Sequence, residues 1–353
     1  METLHINSSN GGYDILIAPD SWSSSGTLPG RKLLVCDSNV EKLYGKWAQA
    51  TFAPDGVFVF PAGEGSKHID TVVGICRRAA EMRLDRHCTF IALGGGVTGD
   101  LAGFAAAIYL RGVDVVQIPT SLLAMVDSSV GGKTAADLPE GKNLIGAFHP
   151  PRRVVADPGV LRTLPPRELR NGLAEAVKTA VLGDAPLFAE LEKLGSALLS
   201  APLPADIYGR IVLRCCRVKG EIVAADETEH GRRAELNYGH TFGHALELLS
   251  GFELPHGEGV AIGMTVAAEL AVKLGRCSPD LAARQKKLLR TLGLPVEVPR
   301  GIAPDAWLAA MAGDKKARDG KVVLVLPESI GVVRVEDRVP KETLAEFLRE
   351  VVS

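Results

Sequence analysis

The sequence predicts an α/β Rossmann-like N-terminal domain followed by a mostly α-helical C-terminal domain. Up to about residue 160, short β-branched runs alternate with helical stretches, and each run is followed by Gly, Pro or Asp. This alternation is typical of βαβ units and of a parallel sheet. From residue 165 the apolar positions follow the 3.6-residue period of long amphipathic helices. We therefore divide the chain into domains 1–160 and 161–353.

The individual elements follow from these two periodicities. Predicted strands span residues 32–36, 57–60, 89–93, 113–118 and 153–156. Predicted helices of the second domain span residues 167–182, 205–224, 235–249, 257–274 and 281–292. Two strand-like runs, 321–326 and 331–335, predict a small hairpin that turns at residues 327–329. The Ala-rich run 101–110 has about half of the roughly 20 residues that a membrane helix needs, so we expect a buried helix there.

Composition and charge narrow the class of protein. The 353 residues are 46% hydrophobic and 23% charged, which supports large cores. Forty Lys and Arg residues oppose 42 Asp and Glu residues, so no global basic field favours a nucleic-acid partner and no charge run predicts a membrane arm. We expect neither nucleic acid nor a membrane as a partner.

The N-terminus and the cysteines predict a cytoplasmic protein. Met1 is followed by the acidic Glu2 and by alternating polarity, instead of a basic region and an apolar core, so we expect no signal peptide. The cysteines form no CxxC pair, which favours reduced core thiols over disulfides or a thiolate metal site. They are Cys36, Cys76, Cys88, Cys215, Cys216 and Cys277.

A glycine-rich turn follows the predicted strand 89–93. The string GGGVTGD (94–100) leads from that strand into the Ala-rich helix. Glycines let backbone N–H groups approach an anion and a helix N-terminus adds positive charge, so the turn predicts a pyrophosphate site. Close packing is the alternative for such glycines. Asp37, directly after the strand 32–36, can bind a ribose hydroxyl or simply form a turn.

Two glycine-flanked lysines predict a local anion site. Lys133 lies in DSSVGGKT (127–134) and Lys142 lies in GKN (141–143). A lysine offers a point charge to a phosphate or carboxylate, and glycines leave room for the approach. A solvated surface lysine is the alternative for each. The GGKT string lacks the leading glycine of a Walker loop, so an ATPase is not predicted.

Four polar residues, in or just before the predicted helix 235–249, share one helical face. Positions 233, 237, 240 and 244 follow helical spacing, so Arg233, Asn237, His240 and His244 would line one stripe. His256 opens the next predicted helix. For any single histidine, a hydrogen-bonded structural role is the simpler interpretation. Two histidines from successive helices can nevertheless contribute to one metal site.

The candidate carboxylate for such a site is Glu175. It interrupts an otherwise apolar helix face, one turn before Lys178. One carboxylate and two histidines form an open three-ligand site with room for substrate oxygens. Because buried charges need partners or a metal, several inward-facing ionisable groups predict a functional site.

Over nearly its whole length the chain resembles the 3-dehydroquinate synthases, which are sugar phosphate cyclases. Ser121 stands where a second threonine is common, and Gly259 stands where alanine is common. The motifs that carry the resemblance are GEGSK (63–67), GGGVTGD (94–100), YLRG (109–112), DSSVGGKT (127–134), GKNLIGAFHPP (141–151), GLAEAVK (172–178), LNYGHTFGHALE (236–247) and PHGEGVAIGM (255–264).

The resemblance implies the ligands and the residues that bind them. It implies one divalent metal, zinc or cobalt, on Glu175, His240 and His256. It implies NAD on Asp37, Asn39, Glu64, Lys67, Gly95, Gly96, Val97, Asp100, Thr120, Ser121, Lys133, Lys142, Thr163 and Asn171. It implies substrate contacts from Arg111, Asp127, Lys133, Asn143, Lys178, Lys219, Arg233, Asn237, His244 and one of Lys315 and Lys316. It also implies a homodimer, an NAD-binding domain 1–160, a metal- and substrate-binding domain 161–353, and an active site in the cleft between them.

The implied reaction belongs to the shikimate pathway of aromatic amino-acid biosynthesis. It converts 3-deoxy-D-arabino-heptulosonate 7-phosphate to 3-dehydroquinate and phosphate. The implied steps are transient oxidation of C5 by NAD, β-elimination of phosphate, re-reduction by NADH and intramolecular aldol closure. In this scheme Arg111, Asn237 and the lysine at 315 or 316 bind the phosphate. Lys133 and Arg233 orient the carboxylate end and the metal-bound hydroxyls. His244 would shuttle the C5 hydroxyl proton.

Three alternatives stay open at this point. A sister cyclase would make a valiolone or an inosose from another sugar phosphate, although Asn237, the Lys142-Asn143 pair and the lysines at 315 and 316 favour the dehydroquinate synthases. An alcohol or glycerol dehydrogenase of similar architecture would give net NADH. A regulator that binds NAD or metal without catalysis would lack a competent side chain at some position, and none is lacking here.

Overall fold

The computed structural model describes residues 1–8, 11–23, 28–200, 204–229, 231–313 and 322–352. The chain forms two compact units. Unit 1 comprises Met1–Pro165 and Pro204–Thr228, and unit 2 comprises Pro166–Leu203 and Glu229–Ser353. The chain thus leaves unit 1, returns to it once, and leaves it again.

The strands of unit 1 form one large sheet and one hairpin. They are β1 (Glu2–Ile6), β2 (Tyr13–Ile17), β3 (Lys32–Asp37), β4 (Gly56–Phe60), β5 (Thr89–Gly94), β6 (Asp114–Pro119), β7 (Lys133–Leu138), β8 (Gly141–Phe148) and β9 (Arg153–Ala156). The sheet has seven strands in the order β1-β2-β9-β6-β5-β3-β4, and β7 pairs with β8 separately. Only the β1–β2 pair of this sheet is antiparallel.

The helices are distributed over both units. They are α1 (Ser38–Phe52), α2 (Ile69–Glu81), α3 (Gly96–Ile108), α4 (Pro166–Gly183), α5 (Ala185–Leu194), α6 (Ala205–Ala225), α7 (His240–Leu249), α8 (His256–Lys273), α9 (Pro279–Thr291), α10 (Pro304–Ala312) and α11 (Lys341–Val352). Unit 2 also carries a hairpin of β10 (Leu324–Ser329) and β11 (Val332–Glu336). The predicted fold class, an α/β N-terminal part and a mostly helical C-terminal part, is confirmed.

The parallel strands of unit 1 are buried on both faces. Leu33 and Phe90 belong to the core that α2 and α3 cover, while their neighbours Leu34 and Ile91 are fully buried on the opposite face. Helix α3 is buried along most of its length, as predicted. Burial on both faces explains why β3 and β5 are continuous apolar runs rather than alternating ones.

The strand prediction is correct for the sheet interior and incomplete elsewhere. The five predicted strands are β3, β4, β5, β6 and β9, with ends within about one residue. The prediction missed β1, β2 and the β7–β8 hairpin. The sequence of β8, GKNLIGAF, has the glycines and polar residues of a loop, so only its pairing with β7 makes it a strand.

Helix α6 has the predicted bounds but belongs to unit 1. It packs against β1, and a Cβ added at Gly220 would lie 2.2 Å from Ile6 Cδ1. Helical periodicity identifies which face of a helix is buried but does not say which unit covers that face.

Two predictions for unit 2 need correction. The hairpin turns at Gly331, where φ is +94°, and β10 continues through residues 327–329. The predicted helix 235–249 is broken, because a 3₁₀ turn spans Arg232–Asn237 and α7 begins only at His240. Gly239 separates them with φ +79°, a conformation that residues with a Cβ rarely adopt. None of the described helices is long and apolar enough to span a membrane.

Candidate functional site

Three neighbouring parallel strands of unit 1 have their carboxyl ends at the same edge of the sheet. β3 ends at Asp37, β5 ends at Gly94 and β6 ends at Pro119, and these strands are adjacent and parallel. β3 is followed in sequence by β4 on one side of it, whereas β5 lies on its other side. The strand order therefore reverses between β3 and β5, and such a switch point is where open α/β sheets bind ligands.

The glycine turn at this edge is tightly built. The N–H of Thr120 donates to Gly94 O at 2.9 Å, and a Cβ on Gly94 would lie 2.2 Å from Thr98 Oγ1. Gly95 caps α3 with extended backbone, so Gly96 and Val97 occupy the first turn of α3. The N–H groups of a first helical turn have no partner within the helix and can bind a phosphate.

Asp37 has a structural role, because its side chain caps the N-terminus of α1. Its Oδ1 accepts hydrogen bonds from the N–H groups of Asn39 and Val40 at 2.8 and 3.0 Å, which caps α1. Because both bonds end on Oδ1, a ribose hydroxyl would meet Oδ2. A capping role and a ligand role are therefore compatible at this residue.

A cluster of charged and amide side chains faces the β7–β8 hairpin. Lys67 Nζ lies 2.6 Å from Asp100 Oδ2 and 2.6 Å from Asn143 Oδ1, and Lys142 Nζ lies 3.7 Å from Glu64 Oε1. Burial alone would lower the pKa of Lys67, but the charge and hydrogen bond of Asp100 outweigh burial and raise it. Burial raises the pKa of Asp100. The structure thus brings together five residues that the resemblance implies for NAD or substrate.

The other implied residues of unit 1 lie in ordered turns. Lys219 on α6 donates to Asp127, at 2.7 Å from Oδ1 and 2.9 Å from its carbonyl oxygen. Asp127 lies in a π-helical turn, Ala124–Ser128, a feature that often occurs at functional sites. Arg111 has φ +69° and follows Leu110 at φ +50°, which is strained backbone for two successive residues with side chains.

The remaining implied NAD residues of unit 1 are Thr120, Ser121, Lys133 and Thr163. Thr163 Oγ1 lies 2.7 Å from Tyr44 OH, and Ser121 Oγ accepts from the N–H of Ala124 at 3.3 Å. Thr120 is buried beside the glycine turn, and Lys133 begins β7 with an exposed side chain.

In unit 2, Glu175, His240 and His256 form a group that could hold a metal ion. One ligand atom from each lies within 4.8 Å of the others. His256 Nε2 is 3.4 Å and His240 Nε2 is 3.7 Å from Glu175 Oε1. The Glu175 side chain is 0% exposed. A fully buried carboxylate facing two imidazole nitrogens has the donor chemistry of a zinc or cobalt site.

Both imidazoles are held by their other ring nitrogen. His240 Nδ1 lies 3.1 Å from Tyr238 O, and His256 Nδ1 lies 2.9 Å from Glu247 Oε1. Burial alone would lower the pKa of His256, but hydrogen bonds with Glu175 and Glu247 outweigh burial and raise that pKa to about 10. In both rings Nε2 therefore faces Glu175.

Glycines bring the three ligands together. A Cβ on Gly257 would lie 2.4 Å from Asn171 Cα, so the first turn of α8 touches α4 one turn before Glu175. A Cβ on Gly243 would lie 2.7 Å from Gly259 O, so α7 and α8 are in similarly close contact. These contacts set the spacing of His240, His256 and Glu175.

Lys178 and Asn171 are buried on α4 beside the metal group. Lys178 Nζ lies 2.5 Å from Glu175 Oε2, and its side chain is 2% exposed. Asn171 is 3% exposed, and among the described residues its Oδ1 has no hydrogen-bond partner. A buried amide oxygen without a partner fits a position that receives a ligand donor.

Arg233, Asn237 and His244 do not share one helical face, because the helix is broken at Gly239. Arg233 is fully buried, and Asn237 donates from Nδ2 to Glu229 Oε1 at 3.1 Å. The His244 ring centroid lies 5.1 Å from that of His240 and 5.7 Å from that of His256. Asp314, Lys315 and Lys316 lie outside the described residues.

Sequence reasoning missed Glu247 and Glu229, which contact implied site residues. Glu247 had one usable signal, since it follows His244 by three residues on one helix. Glu229 had none, because its contact with Asn237 depends on the 3₁₀ turn and on its own φ of +63°.

Comparison with known proteins identifies relatives along most of the chain. It matches the family models "3-dehydroquinate synthase N-terminal" at residues 57–171 and "3-dehydroquinate synthase C-terminal" at residues 172–317. A 3-dehydroquinate synthase of a Synechococcus species is 48% identical over 354 residues, covering 96% of each chain.

Two solved structures extend the comparison to the fold. 2-epi-5-epi-valiolone synthase from Streptomyces hygroscopicus subsp. jinggangensis, solved with NAD⁺ and Zn²⁺ bound, has a TM-score of 0.89 at 32% identity, covering 99% of this chain and 98% of its own. A 2-deoxy-scyllo-inosose synthase complexed with carbaglucose-6-phosphate, NAD⁺ and Co²⁺ has a TM-score of 0.89 at 27% identity, covering 99% and 100%.

Proposed function

This chain belongs to the 3-dehydroquinate synthase family, and from that membership we propose that it converts 3-deoxy-D-arabino-heptulosonate 7-phosphate to 3-dehydroquinate and phosphate. The observation that carries the proposal is the group of Glu175, His240 and His256, in which two imidazole nitrogens face a fully buried carboxylate. Such an open ligand set suits a Lewis-acid metal that leaves room for substrate oxygens.

We propose that the group holds one zinc or cobalt ion and that NAD binds at the sheet edge of unit 1. When bound, NAD would take up and return a hydride while the metal polarises the carbinol oxygen. The first turn of α3 would receive the pyrophosphate, and Asp37 the ribose. The remaining NAD contacts are proposed for Asn39, Glu64, Lys67, Asp100, Thr120, Ser121, Lys133, Lys142, Thr163 and Asn171.

The substrate residues have separate proposed roles. Arg111, Asn237 and the lysine at 315 or 316 would bind the phosphate, and Lys133 and Arg233 would orient the carboxylate end and the hydroxyl groups. His244 would carry the proton of the C5 hydroxyl, since an imidazole can both accept and donate a proton. Further contacts are proposed for Asp127, Asn143, Lys178 and Lys219. We propose that domain 1–160 binds NAD and that domain 161–353 binds the metal and the substrate, with the substrate contacts named above from domain 1–160 in addition.

We also propose that the protein is a cytoplasmic homodimer. All six cysteines are free thiols, which suits a reducing compartment. The edge strand β4 exposes Val59, and an uncovered strand edge can pair with a second chain. A molar mass near 75 kDa by light scattering, about twice the 37.4 kDa of the chain, would support the dimer.

The experiment measures phosphate release from 3-deoxy-D-arabino-heptulosonate 7-phosphate with catalytic NAD, with and without EDTA, while absorbance at 340 nm reports NADH. We expect one phosphate and one 3-dehydroquinate per substrate, loss of both in EDTA, and no lasting NADH. No phosphate would favour a sister cyclase that acts on another sugar phosphate. Steady accumulation of NADH would identify a dehydrogenase.

A further inference from the structure

We propose that Glu247 is a positioning residue for the metal ligand His256. Its carboxylate would hold the imidazole so that Nε2 is presented to the metal that the proposed function places on Glu175, His240 and His256. The proposal rests on that function and adds to it a residue of α7 that would not itself bind the metal.

The geometry of His256 assigns different roles to its two ring nitrogens. Nδ1 lies 2.9 Å from Glu247 Oε1, and Nε2 lies 3.4 Å from Glu175 Oε1. When Nδ1–H donates to a carboxylate, the lone pair of Nε2 is left for a metal, and the ring becomes more basic. Glu247 therefore fixes both the tautomer and the orientation of the ligand.

The placement of Glu247 is electrostatically unfavourable without such a partner. Its side chain is 4% exposed, and it lies in the last turn of α7, which ends at Leu249. The C-terminal end of a helix carries partial negative charge, and burial of a carboxylate is costly unless it is paired. The contact with His256 contributes to that pairing.

The opposite helix leaves room for this carboxylate. A Cβ at Gly259 on α8 would lie 3.2 Å from Glu247 Cγ and 3.3 Å from its Oε1. Those distances are tighter than ordinary carbon contacts, so an added methyl group would press on the hydrogen-bonded oxygen itself.

The two histidine ligands, His240 and His256, differ in the hydrogen-bond partner of their Nδ1 atoms. His240 Nδ1 faces a neutral backbone carbonyl, Tyr238 O, at 3.1 Å, whereas His256 faces a carboxylate. A carboxylate partner strengthens an imidazole ligand more than a neutral oxygen does, because it stabilises positive charge on the ring. His256 is therefore the ligand whose binding depends on a side chain elsewhere in the unit.

A rival interpretation uses the same residues as a second metal group. His244, Glu247 and His256 each offer a ligand atom within 4.8 Å of the others. That metal would need Glu247 as a ligand, so removal of Glu247 would lower the number of bound metal ions. The positioning role predicts one ion before and after the substitution, bound less tightly.

The test uses the full-length chain, stripped of metal and titrated with Zn²⁺ alone against a chromophoric chelator. We expect Glu247→Ala to weaken Zn²⁺ binding about 10–100-fold with the stoichiometry still at one. Glu247→Gln should lose less, because its amide oxygen can still accept from Nδ1–H. The visible spectrum of the Co²⁺-loaded protein should change in the Ala variant, since ligand geometry sets those bands. Glu269→Gln, on α8 and paired with Lys286, is the matched control and should leave both readings unchanged.

Zn²⁺ affinity within about twofold of the parent in the Ala variant, with an unchanged Co²⁺ spectrum, would overturn the proposal. If that variant does not fold by circular dichroism, Glu247→Met decides in the same way, because methionine is similar in length and lacks the carboxylate oxygen that accepts from Nδ1–H. A drop from two ions to one would establish the second metal group instead. A parent that binds one Zn²⁺ but releases no phosphate would refute the proposed reaction and leave the role of Glu247 standing.

Discussion

At the scale of single residues, one fully buried carboxylate of unit 2 is surrounded by an ammonium group and two imidazoles. Glu175 is fully buried and faces Lys178, His240 and His256. Motif and spacing predicted these side chains, since an acid within an apolar helix face is visible in sequence. Glu247 was not predicted, because a glutamate at the end of a helix is an ordinary surface pattern until burial is known.

Removal of Lys178 should destabilise the metal-free protein. Its ammonium lies 2.5 Å from Glu175 Oε2 with both side chains buried, and loss of one partner of a buried pair costs about 3–5 kcal/mol. We expect Lys178→Met to lower the free energy of unfolding by about that amount in EDTA, and by less with saturating Zn²⁺, because the metal then neutralises Glu175. Urea unfolding with and without Zn²⁺ measures this. An equal loss in both conditions would contradict the expectation.

His244 should matter for turnover and not for metal retention. Its ring lies near those of His240 and His256, but it is outside the proposed ligand group. We expect His244→Ala to reduce kcat about 10²–10⁴-fold while one Zn²⁺ per chain is retained. Steady-state phosphate release and metal analysis of the same sample provide the check, and unchanged turnover would remove the proton-carrying role.

At the scale of secondary-structure elements, backbone contact between α7 and α8 sets the site. Periodicity predicted α4, α6, α8 and α9 nearly to the residue, because long amphipathic helices carry a repeated signal. It merged Arg233 and Asn237 into α7, because the break at Gly239 depends on the approach of α8. A Cβ at Gly239 would lie 2.9 Å from Val260 O, and no local pattern encodes that contact.

Gly263→Ala should separate these helices. The added Cβ would lie 1.9 Å from Gly239 O, a backbone atom that cannot move without moving the start of α7. We expect a loss of about 1–3 kcal/mol in unfolding free energy together with weaker Zn²⁺ binding, because His240 follows Gly239 directly.

Gly209→Ala on α6 is the matched control for that substitution. Its Cβ would meet only Pro158 Cγ, at an ordinary 3.7 Å. We expect this variant to be more stable by about 0.5–1 kcal/mol, because alanine loses less backbone entropy in a helix. Thermal and urea unfolding of both variants test the pair. An equal change in unfolding free energy for the two variants would show that α7 and α8 can move apart at little cost.

At the scale of the whole molecule, the buried thiols make stability depend on alkaline pH. Burial raises the pKa of Cys36 and Cys216 to about 12 and that of Cys88 to about 11, from an ordinary value of 9.0. Above pH 9 the unfolded chain loses these protons while the folded protein keeps them. The stability that they contribute is therefore present below pH 9 and declines as pH rises toward 11–12.

We expect the free energy of unfolding to fall by roughly 1.4 kcal/mol per thiol for each pH unit in that window. Urea unfolding at pH 8 and pH 10 measures the fall, and replacement of Cys216 by Ala should make it smaller. An unchanged slope in that variant would show that its thiol ionises in the folded protein. Iodoacetamide should label the native protein slowly at pH 8 and the urea-unfolded protein quickly, because only thiolates react.

The return of α6 to unit 1 has a consequence for biosynthesis. Residues 1–165 include every strand of the large sheet, yet α6, which covers β1, ends only at Ala225. At a typical translation rate of about 5–20 residues per second, the ribosome needs roughly 3–12 s to make the intervening chain. During that time Ile6 and its neighbours on the nascent sheet lack the helix that covers them in the folded protein, so their apolar side chains stay exposed until α6 is made.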